Sequence, residues 1–558
     1  MLRRAWPAVL LAPILLLAYR GGLGRGFASE DFLILRRLGS GDFWARAAEN
    51  FAGPWLGASF VPFYRPFSSF LLQVELFFFG VNPLPYLLLH LAIHAGCVLL
   101  LAAWLGRLLP AAGRLEIFLA ALLFGLYPLH PNTVLFVASF ATLFATFLML
   151  ATFYLEAAGR RWLAFAAGAL ALLCYEQAVV LPALLVLFDL ATGTDPLRAR
   201  LRRWWPHFAM AFAFLLLRSA TLGSLGGYAG FRERLLDPGA LAASFAELLT
   251  RIFVPFFALP ASRILTWGVV AALAILAGVA IRRRSELGAR LLLAALAAIP
   301  VSQAPFFFSG VVPGNGRYFY LAAAFAAIVL WQALRLLPRP GKLAAPALGA
   351  IALLFFWGLG QVAAVYGEAA ARVRSVRAAL EAAPPGRLFV AGRPYFVYRW
   401  GVPVAQVFHW GVSDALMPPF TARRDLEVYP LPELSDADLA PLLGRPDLGQ
   451  VARLGEGDHL LPASPPLRAP AVLAATPADG RPALRLALPA GATGRLVVLA
   501  RGGPSLLPLP AAAGEMLAEI PPETFEGMRR LYEGPIFAWV EARGSDGGLV
   551  AATALFAF

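Results

Sequence analysis

The sequence predicts a membrane-embedded, all-α body followed by a β-rich domain, and three observations carry that assignment. Of the 558 residues, 59% are hydrophobic and only 14% charged, whereas soluble globular domains carry nearer a quarter charged residues. Apolar runs of spanning length recur from the N-terminus to about Tyr366. A hydrocarbon core about 30 Å thick needs roughly 20 such residues per helix, with every backbone group satisfied inside it. Beyond Glu381 the composition changes. Pro384-Pro385-Gly386 opens a region of short apolar runs separated by Gly, Pro and Asp, the pattern of strands at turn spacing.

Taken in order, the first segment, Ala5 to Leu23, starts after Arg3-Arg4 and has no small-x-small cleavage site after Tyr19, so it reads as an uncleaved anchor. Helices are expected at 5–23, 84–106, 115–129, 134–156, 162–175, 177–191, 206–222, 263–281, 290–307, 317–337 and 343–366, about eleven crossings with the shorter ones extended or tilted. Short loops rich in arginine mark the cytoplasmic side: Arg107 with Arg114, Arg160-Arg161, Arg198 to Arg203, Arg282 to Arg284 with Arg290, and Arg335, Arg339 and Lys342. The stretch Leu241 to Leu259 is broken by Pro255 and Pro260. Crossing there would put Arg282 to Arg284 outside, so it is placed as a helix lying at the outer surface.

This threading leaves outside the long loop 24–83, the turns at His130-Pro131 and Tyr175-Glu176, the loop ending at Asn315-Gly316-Arg317, and everything after Tyr366. The transmembrane domain is thus residues 1–370 and the extracytoplasmic domain 371–558, with a division near Pro465. Strands are expected at Leu388 to Ala391, Leu484 to Leu488 and Leu496 to Ala500, and two more in Gly534 to Phe558 around Gly544-Ser545-Asp546-Gly547-Gly548. No helical repeat of fixed period follows the last membrane helix.

The formal charge of +14 comes almost wholly from arginine, Lys342 being the only lysine. The arginines are spread over loop after loop and form no single basic face, which argues for membrane orientation and against a nucleic-acid partner. Cys97 and Cys174 lie in separate apolar segments, so neither a disulfide framework nor a CxxC zinc site is present.

The outer face is where ionisable residues converge. Glu30-Asp31 follows the first helix directly, and a carboxylate at the face of so apolar a chain points to chemistry at the lipid–water boundary. The long loop then carries Tyr64-Arg65-Pro66, an apolar amphipathic stretch to Gly80, Val81-Asn82-Pro83, and, at the start of the next helix, Tyr86, His90 and His94. His90 and His94 have a metal-ligand spacing, but the sequence offers no third ligand. Polar residues at that depth are functional suspects, and no metal is expected. Each residue also has a plainer reading: Asp31 as a solvated loop charge, Glu176 as an acid favoured by a helix N-terminus, Arg317 as a boundary residue reaching the head groups.

In their order and spacing these pieces resemble the polytopic glycosyltransferases of the GT-C superfamily, most closely the transmembrane-and-tetratricopeptide-repeat O-mannosyltransferases and their bacterial relatives. The matching pieces are the acidic pair Glu30-Asp31, the His130-Pro131 turn, Glu176 ahead of an apolar run with Pro182, and Arg317-Tyr318-Phe319-Tyr320-Leu321. The resemblance covers about residues 1–366. It implies an inverting, metal-independent transferase without a cofactor, in a cytoplasmic membrane, passing a sugar from a polyprenyl-phosphate donor to a glycan, lipid or protein acceptor on the outer face; the arginine-for-lysine bias with its Ala, Leu, Gly and Pro load points to a GC-rich, bacterial source.

Under that resemblance Asp31 is the candidate base for the acceptor hydroxyl, with Glu30 the runner-up. Arg317, Arg65 and Tyr320 are candidates for the donor phosphate; Arg65 alternatively ties its loop to Asp31. Tyr64, His94, His130 and Glu176 are candidates for positioning substrate. The chain departs from the family where Asn132-Thr133-Val134-Leu135 follows the His-Pro turn in place of a second His and a Glu. Leu143 stands at an Arg position, Tyr175 at a Lys position, and the tetratricopeptide repeats are absent. Those departures leave the sugar and the acceptor open. A transporter or flippase of lipid-linked glycans would need midplane polar sites on interrupted helices in two related halves, which the sequence lacks. A relative that binds a glycan or lipid carrier without turnover is the remaining alternative.

Overall fold

The computed structural model describes residues 2–558 except 58–62, 224–237, 257, 260–261, 307–312, 338–339, 393–394, 410, 432–438, 444, 446, 448, 456–459, 463–470, 478–481, 490, 510–514, 533, 544 and 546–548. The first part is helical: α1 (Leu2–Leu23), α2 (Glu30–Leu38), α3 (Phe43–Ala52), α4 (Pro66–Phe79), α5 (Pro83–Leu108), α6 (Arg114–Gly125), α7 (Pro131–Val134), α8 (Phe140–Ala157), α9 (Arg161–Cys174), α10 (Leu181–Thr192), α11 (Leu197–Leu222), α12 (Pro238–Phe253), α13 (Arg263–Arg282), α14 (Leu287–Gln303), α15 (Tyr320–Arg335) and α16 (Pro340–Glu381). Short 3-10 turns at Val137–Ser139, Glu176–Val180 and Pro313–Phe319 connect them at one end.

Among the described residues, six helical stretches are long and apolar enough to cross a membrane: Pro83–Leu108, Val137–Ala157, Arg263–Arg282, Leu287–Phe306, Asn315–Arg335 and Leu343–Glu381. The other segments of the expected threading are helical too. However, α6, α9 and α10 have 12, 14 and 12 residues, fewer than the roughly 20 a straight crossing takes. The perimeter is apolar, as Val9, Leu17, Phe212, Ile264, Trp267, Ile275, Leu353 and Trp357 all stand exposed. A soluble surface does not expose so much apolar area.

Local chemistry sets the helix limits. Asn82 caps α5 by accepting from the Leu84 amide at 3.2 Å, with Pro83 in the first turn, and Ser262 caps α13 through the Leu265 amide at 3.1 Å. The long helix α16 packs along α1, where a Cβ on Gly367 would lie 2.4 Å from the Gly21 carbonyl oxygen. Only glycine permits that approach of two backbones.

The ends of the helices sort into two polar layers. In one, Trp331 donates to Glu116 at 2.7 Å, Arg335 lies 3.6 Å from the same carboxylate, and Arg283 donates to the Leu336 carbonyl. In the same layer, Asp189 collects Arg200, Arg203 and Trp204, and Glu156 pairs with His207. The other layer holds the α1–α2 junction, residues 126–139, 174–180 and 313–320, and the point where α16 leaves the apolar body. The α12 helix ends short of Pro255, and Tyr127 donates to its Arg251 carbonyl, at this second layer.

The last helix does not stop near Tyr366 but runs on to Glu381. A β-rich region follows: β1 (Gly386–Ala391), β2 (Phe396–Arg399), β3 (Val402–Gln406), β4 (Leu426–Leu431), β5 (Gln450–Leu454), β6 (Leu460–Pro462), β7 (Ala471–Leu473), β8 (Ala475–Pro477), β9 (Ala483–Ala487), β10 (Thr493–Ala500), β11 (Gly503–Leu509), β12 (Glu515–Glu519), β13 (Phe537–Arg543), β14 (Leu549–Thr553) and β15 (Phe556–Ala557), with short helices α17 (Ala440–Leu443) and α18 (Pro522–Leu531). One sheet has the order β4-β1-β5-β6, with β1 parallel to both β4 and β5; a second runs β11-β10-β13-β14-β7, and a third β12-β9-β8. The first two share a core of Phe389, Tyr429, Val497, Leu499, Phe537 and Trp539. The division expected near Pro465 lies outside the described residues, as does the turn at Gly544 and Asp546-Gly547-Gly548.

This region is clamped onto α2. The Ser29 amide donates to the Val407 carbonyl at 2.9 Å, Phe32 packs between Phe408 and Phe420 at 5.8 and 4.9 Å between ring centres, and Arg36 Nε donates to Asp414 Oδ1 at 2.5 Å. Asp414 is fully buried. Removing one partner from such a pair strands the other charge in a low-dielectric setting, at about 3–5 kcal/mol, whereas replacing both by apolar groups is far milder. Arg36→Ala is therefore expected to destabilise the docked region by that amount, and Arg36→Met combined with Asp414→Leu to recover most of it. Protease sensitivity of residues 386–558 and unfolding midpoints in detergent measure both.

Candidate functional site

The second polar layer gathers residues far apart in sequence. Glu30 and Asp31 open α2 because the chain reverses sharply after α1: the Arg25 amide bonds back to Gly22 O, and Ser29, at a φ of 50°, directs the chain into the helix. Arg317 lies in the Pro313–Phe319 turn, held by its own amide, which donates to Asn132 Oδ1 at 3.0 Å. Its Nη1 stands 3.5 Å from Glu30 Oε2 across 287 positions of sequence. The guanidinium also faces the rings of Phe136 and Tyr318, at 6.0 and 5.4 Å. Both side chains of the Glu30–Arg317 pair are partly open, 20% and 17% exposed.

Asp31 lies behind this pair and is sealed. It is 1% exposed, and its two oxygens accept the Ala28 amide at 3.0 Å and the Ala138 amide at 2.7 Å. Burial pushes its carboxyl up to about 6. The Arg25 guanidinium and the two amides oppose that rise and the neighbouring Glu30 charge adds to it. Arg25 is itself buried, donates to Leu135 O at 3.2 Å and stacks over Phe136 and Tyr366 at 5.1 and 4.7 Å.

Arg65 sits in a neighbouring cluster. It ties the loop before α4 to Glu176, at 2.9 Å, and its guanidinium packs on Trp55, Phe63 and Tyr175. Arg218 approaches the same carboxylate at 4.0 Å. An aromatic file connects the two clusters: Tyr175 stacks on Phe306 at 5.9 Å, and Phe306 on Tyr318 at 4.7 Å, beside Arg317.

The remaining candidates lie deeper or to one side. Tyr320 is fully buried, and its hydroxyl reaches His94 Nδ1 at 2.5 Å and not the Glu30–Arg317 pair. His94 Nε2 lies 2.9 Å from the Gly125 carbonyl; since that nitrogen must donate, Nδ1 accepts from Tyr320. His130 packs on Tyr320 at 4.4 Å and on His94 at 5.4 Å, so these three form an aromatic layer beneath Arg317. His90, one turn from His94, turns to Glu75 at 3.3 Å. Among the described residues, no group of three or more His, Cys, Asp or Glu is arranged to hold a metal ion. Tyr64 donates to the Phe51 carbonyl at 2.9 Å and packs near Phe214.

Sequence reasoning missed four contributors: Arg25, Asn132, Tyr366 and the Arg36–Asp414 clamp. Asn132 stood out only as part of the stretch that follows the His130-Pro131 turn, and here its side chain accepts the Arg317 amide. The rest had no signal, because their roles depend on contacts across the fold. No family model, curated protein or solved structure matches the chain.

The raised Asp31 carboxyl makes stability pH-dependent. Unfolded, the group titrates near 4; folded, near 6. The native state therefore holds the extra proton between those values, and its contribution is full below about pH 4 and lost as pH rises through about 6. Unfolding midpoints in detergent at successive pH values are expected to fall across this window, and Asp31→Asn to flatten the slope.

Proposed function

We propose that the chain is a membrane glycosyltransferase that takes a sugar from a polyprenyl-phosphate donor and passes it to a glycan, lipid or protein acceptor on the outer side of a bacterial cytoplasmic membrane. The observation that carries the reading is the meeting of Glu30 with Arg317 at 3.5 Å in a partly open position, at the end of helices long and apolar enough to cross a membrane. A carboxylate beside a guanidinium is what the reaction needs. An acceptor hydroxyl has a pKa far above 7 and must lose its proton as it attacks. The leaving lipid phosphate gains charge that an arginine stabilises by a charge-assisted contact of about 1.5–3 kcal/mol.

Of the two acids, we assign the proton transfer to Glu30. Its side chain is the more open, while both Asp31 oxygens are already occupied by amides. Asp31 then positions α2 against the Val137–Ser139 turn. Arg317 would leave Glu30 for the phosphate when donor binds, freeing the carboxylate for the hydroxyl. The orientation rests on the arginines of the opposite polar layer, Arg107, Arg200, Arg203, Arg283 and Arg335, which by the positive-inside rule belong to the cytoplasm. The docked β-rich region then hangs over the outer face, where it meets the acceptor.

The second reading is a relative that binds the same lipid-linked sugar without turning it over, and the sealing of Asp31 is what favours it. Purified protein in liposomes, given a panel of radiolabelled polyprenyl-phosphate sugars and membrane acceptors, decides between them. Transfer is expected, with Glu30→Gln losing about 10²–10⁴-fold in rate and Arg317→Ala about 10–100-fold. Saturable binding of a donor with no cleavage by the unaltered chain would select the non-catalytic reading. Movement of the intact lipid-linked sugar between leaflets would select a flippase.

A further inference from the structure

We infer that the tip of the β2–β3 hairpin, Tyr398-Arg399-Trp400, is a membrane-contacting element that seats in the interfacial layer of the bilayer beside α16. The inference rests on the membrane placement proposed above. Its first support is the exposed stripe of α16. Pro346, Ala350, Leu353, Leu354, Trp357, Gln361, Ala364 and Glu368 are all exposed, spaced three and four apart so that they share one face of the helix. Leu353 and Trp357 are 72% and 57% exposed, which identifies this face as the one turned to lipid. Glu368 is the first charged residue on the stripe beyond the apolar run ending at Tyr366, so it marks where the lipid-facing side reaches the head groups.

Arg399 joins the hairpin to that point, with its Nη2 2.7 Å from Glu368 Oε2. The tip is therefore held on the lipid-facing side of α16 at the level of the boundary. Tyr398 and Trp400 stand exposed on either side of Arg399, and tyrosine and tryptophan are the residues whose amphipathic rings settle at a membrane–water interface.

The backbone supplies an independent support. Arg399 pairs with Val402, leaving a two-residue turn, and both its residues are left-handed: Trp400 at a φ of 54° and Gly401 at 74°. Such a turn takes Asn-Gly or Gly-Gly without strain. A bulky residue in the left-handed region is an outlier that persists where its side chain has a use. The indole there keeps 40% of its surface exposed, and at a lipid surface that exposed part has a use. The other strand, β3, packs on the Pro313–Phe319 turn that holds Arg317, so the hairpin spans from the bilayer edge to the candidate site. Because the Arg399 charge is matched by Glu368, the contact requires no anionic lipid.

The full chain in liposomes tests this. The native Cys97 and Cys174 are buried, so a single surface cysteine can be labelled selectively with a fluorophore and challenged with lipids brominated near the glycerol end of the acyl chains. Trp400→Cys and Tyr398→Cys are each expected to be quenched several-fold more than Asp447→Cys, an exposed position of the β-rich region, alike in zwitterionic and anionic vesicles. Tyr398→Cys keeps Trp400 in place, and adding Trp400→Asn to it should lower the quenching. Quenching at both tip positions no greater than at Asp447→Cys, while Trp357→Cys is strongly quenched, overturns the proposal alone. An unquenched Trp357→Cys overturns the membrane placement with it. Tip labels that instead quench one another as protein-to-lipid ratio rises would give the surface to a second copy of the chain and overturn the lipid assignment.

Discussion

The arrangement depends on the burial of one carboxylate. Asp31 accepts an amide from Ala28 within its own turn and one from Ala138 on the far side of the layer, so it joins the start of α2 to the start of α8. Burying an acid this completely is costly unless its oxygens are satisfied, and here two backbone donors and the nearby Arg25 charge offset only part of that cost. The carboxyl stays poised well above its ordinary range because compensation is incomplete. Glu30, the preceding residue, inherits its position from this anchor. So does Arg317, whose turn is fixed from the same stretch of chain by Asn132.

A second constraint acts from outside. The β-rich region grips α2 through Val407, Phe408, Asp414 and Phe420, and touches the Arg317 turn through β3. The short helix carrying the acidic pair is held between the apolar body and the β-rich region. In energetic terms the clamp is a buried ion pair within an aromatic cluster, which specifies geometry more than it adds stability. A site built this way is positioned by elements some 380 residues apart, consistent with the 378-position separation of Arg36 and Asp414.

Much of the architecture was legible from local patterns. Apolar runs located the helices, and the Pro384-Pro385-Gly386 break marked the change to strands. The ionisable residues around Glu30 and Arg317 could be named as a group because each lies at a helix end. What was not legible is what tertiary contact decides. Nothing local distinguishes Asp31, sealed by amides, from Glu30, partly open one residue earlier. His94 read as a candidate for positioning substrate and Tyr320 for holding the donor phosphate; in the fold their side chains bond to each other. Arg65 had two readings and took a third, pairing with Glu176. The parallel pairing of β1 with β4 and β5 arises from strands separated by dozens of residues, which spacing does not encode.

The final helix of the apolar body deserves a mechanical reading. At 42 residues and 1.5 Å per residue, α16 is a rod about 63 Å long, and only residues 382–385 separate its end from β1. Helices answer a change in bilayer thickness by tilting, and for a rod of this length a tilt of about 5° sweeps the far end sideways by about 5 Å. In a bilayer, a tilt of α16 would be passed to the β-rich region packed against it, and bilayer thickness would become a lever on where that region sits beside the acidic pair.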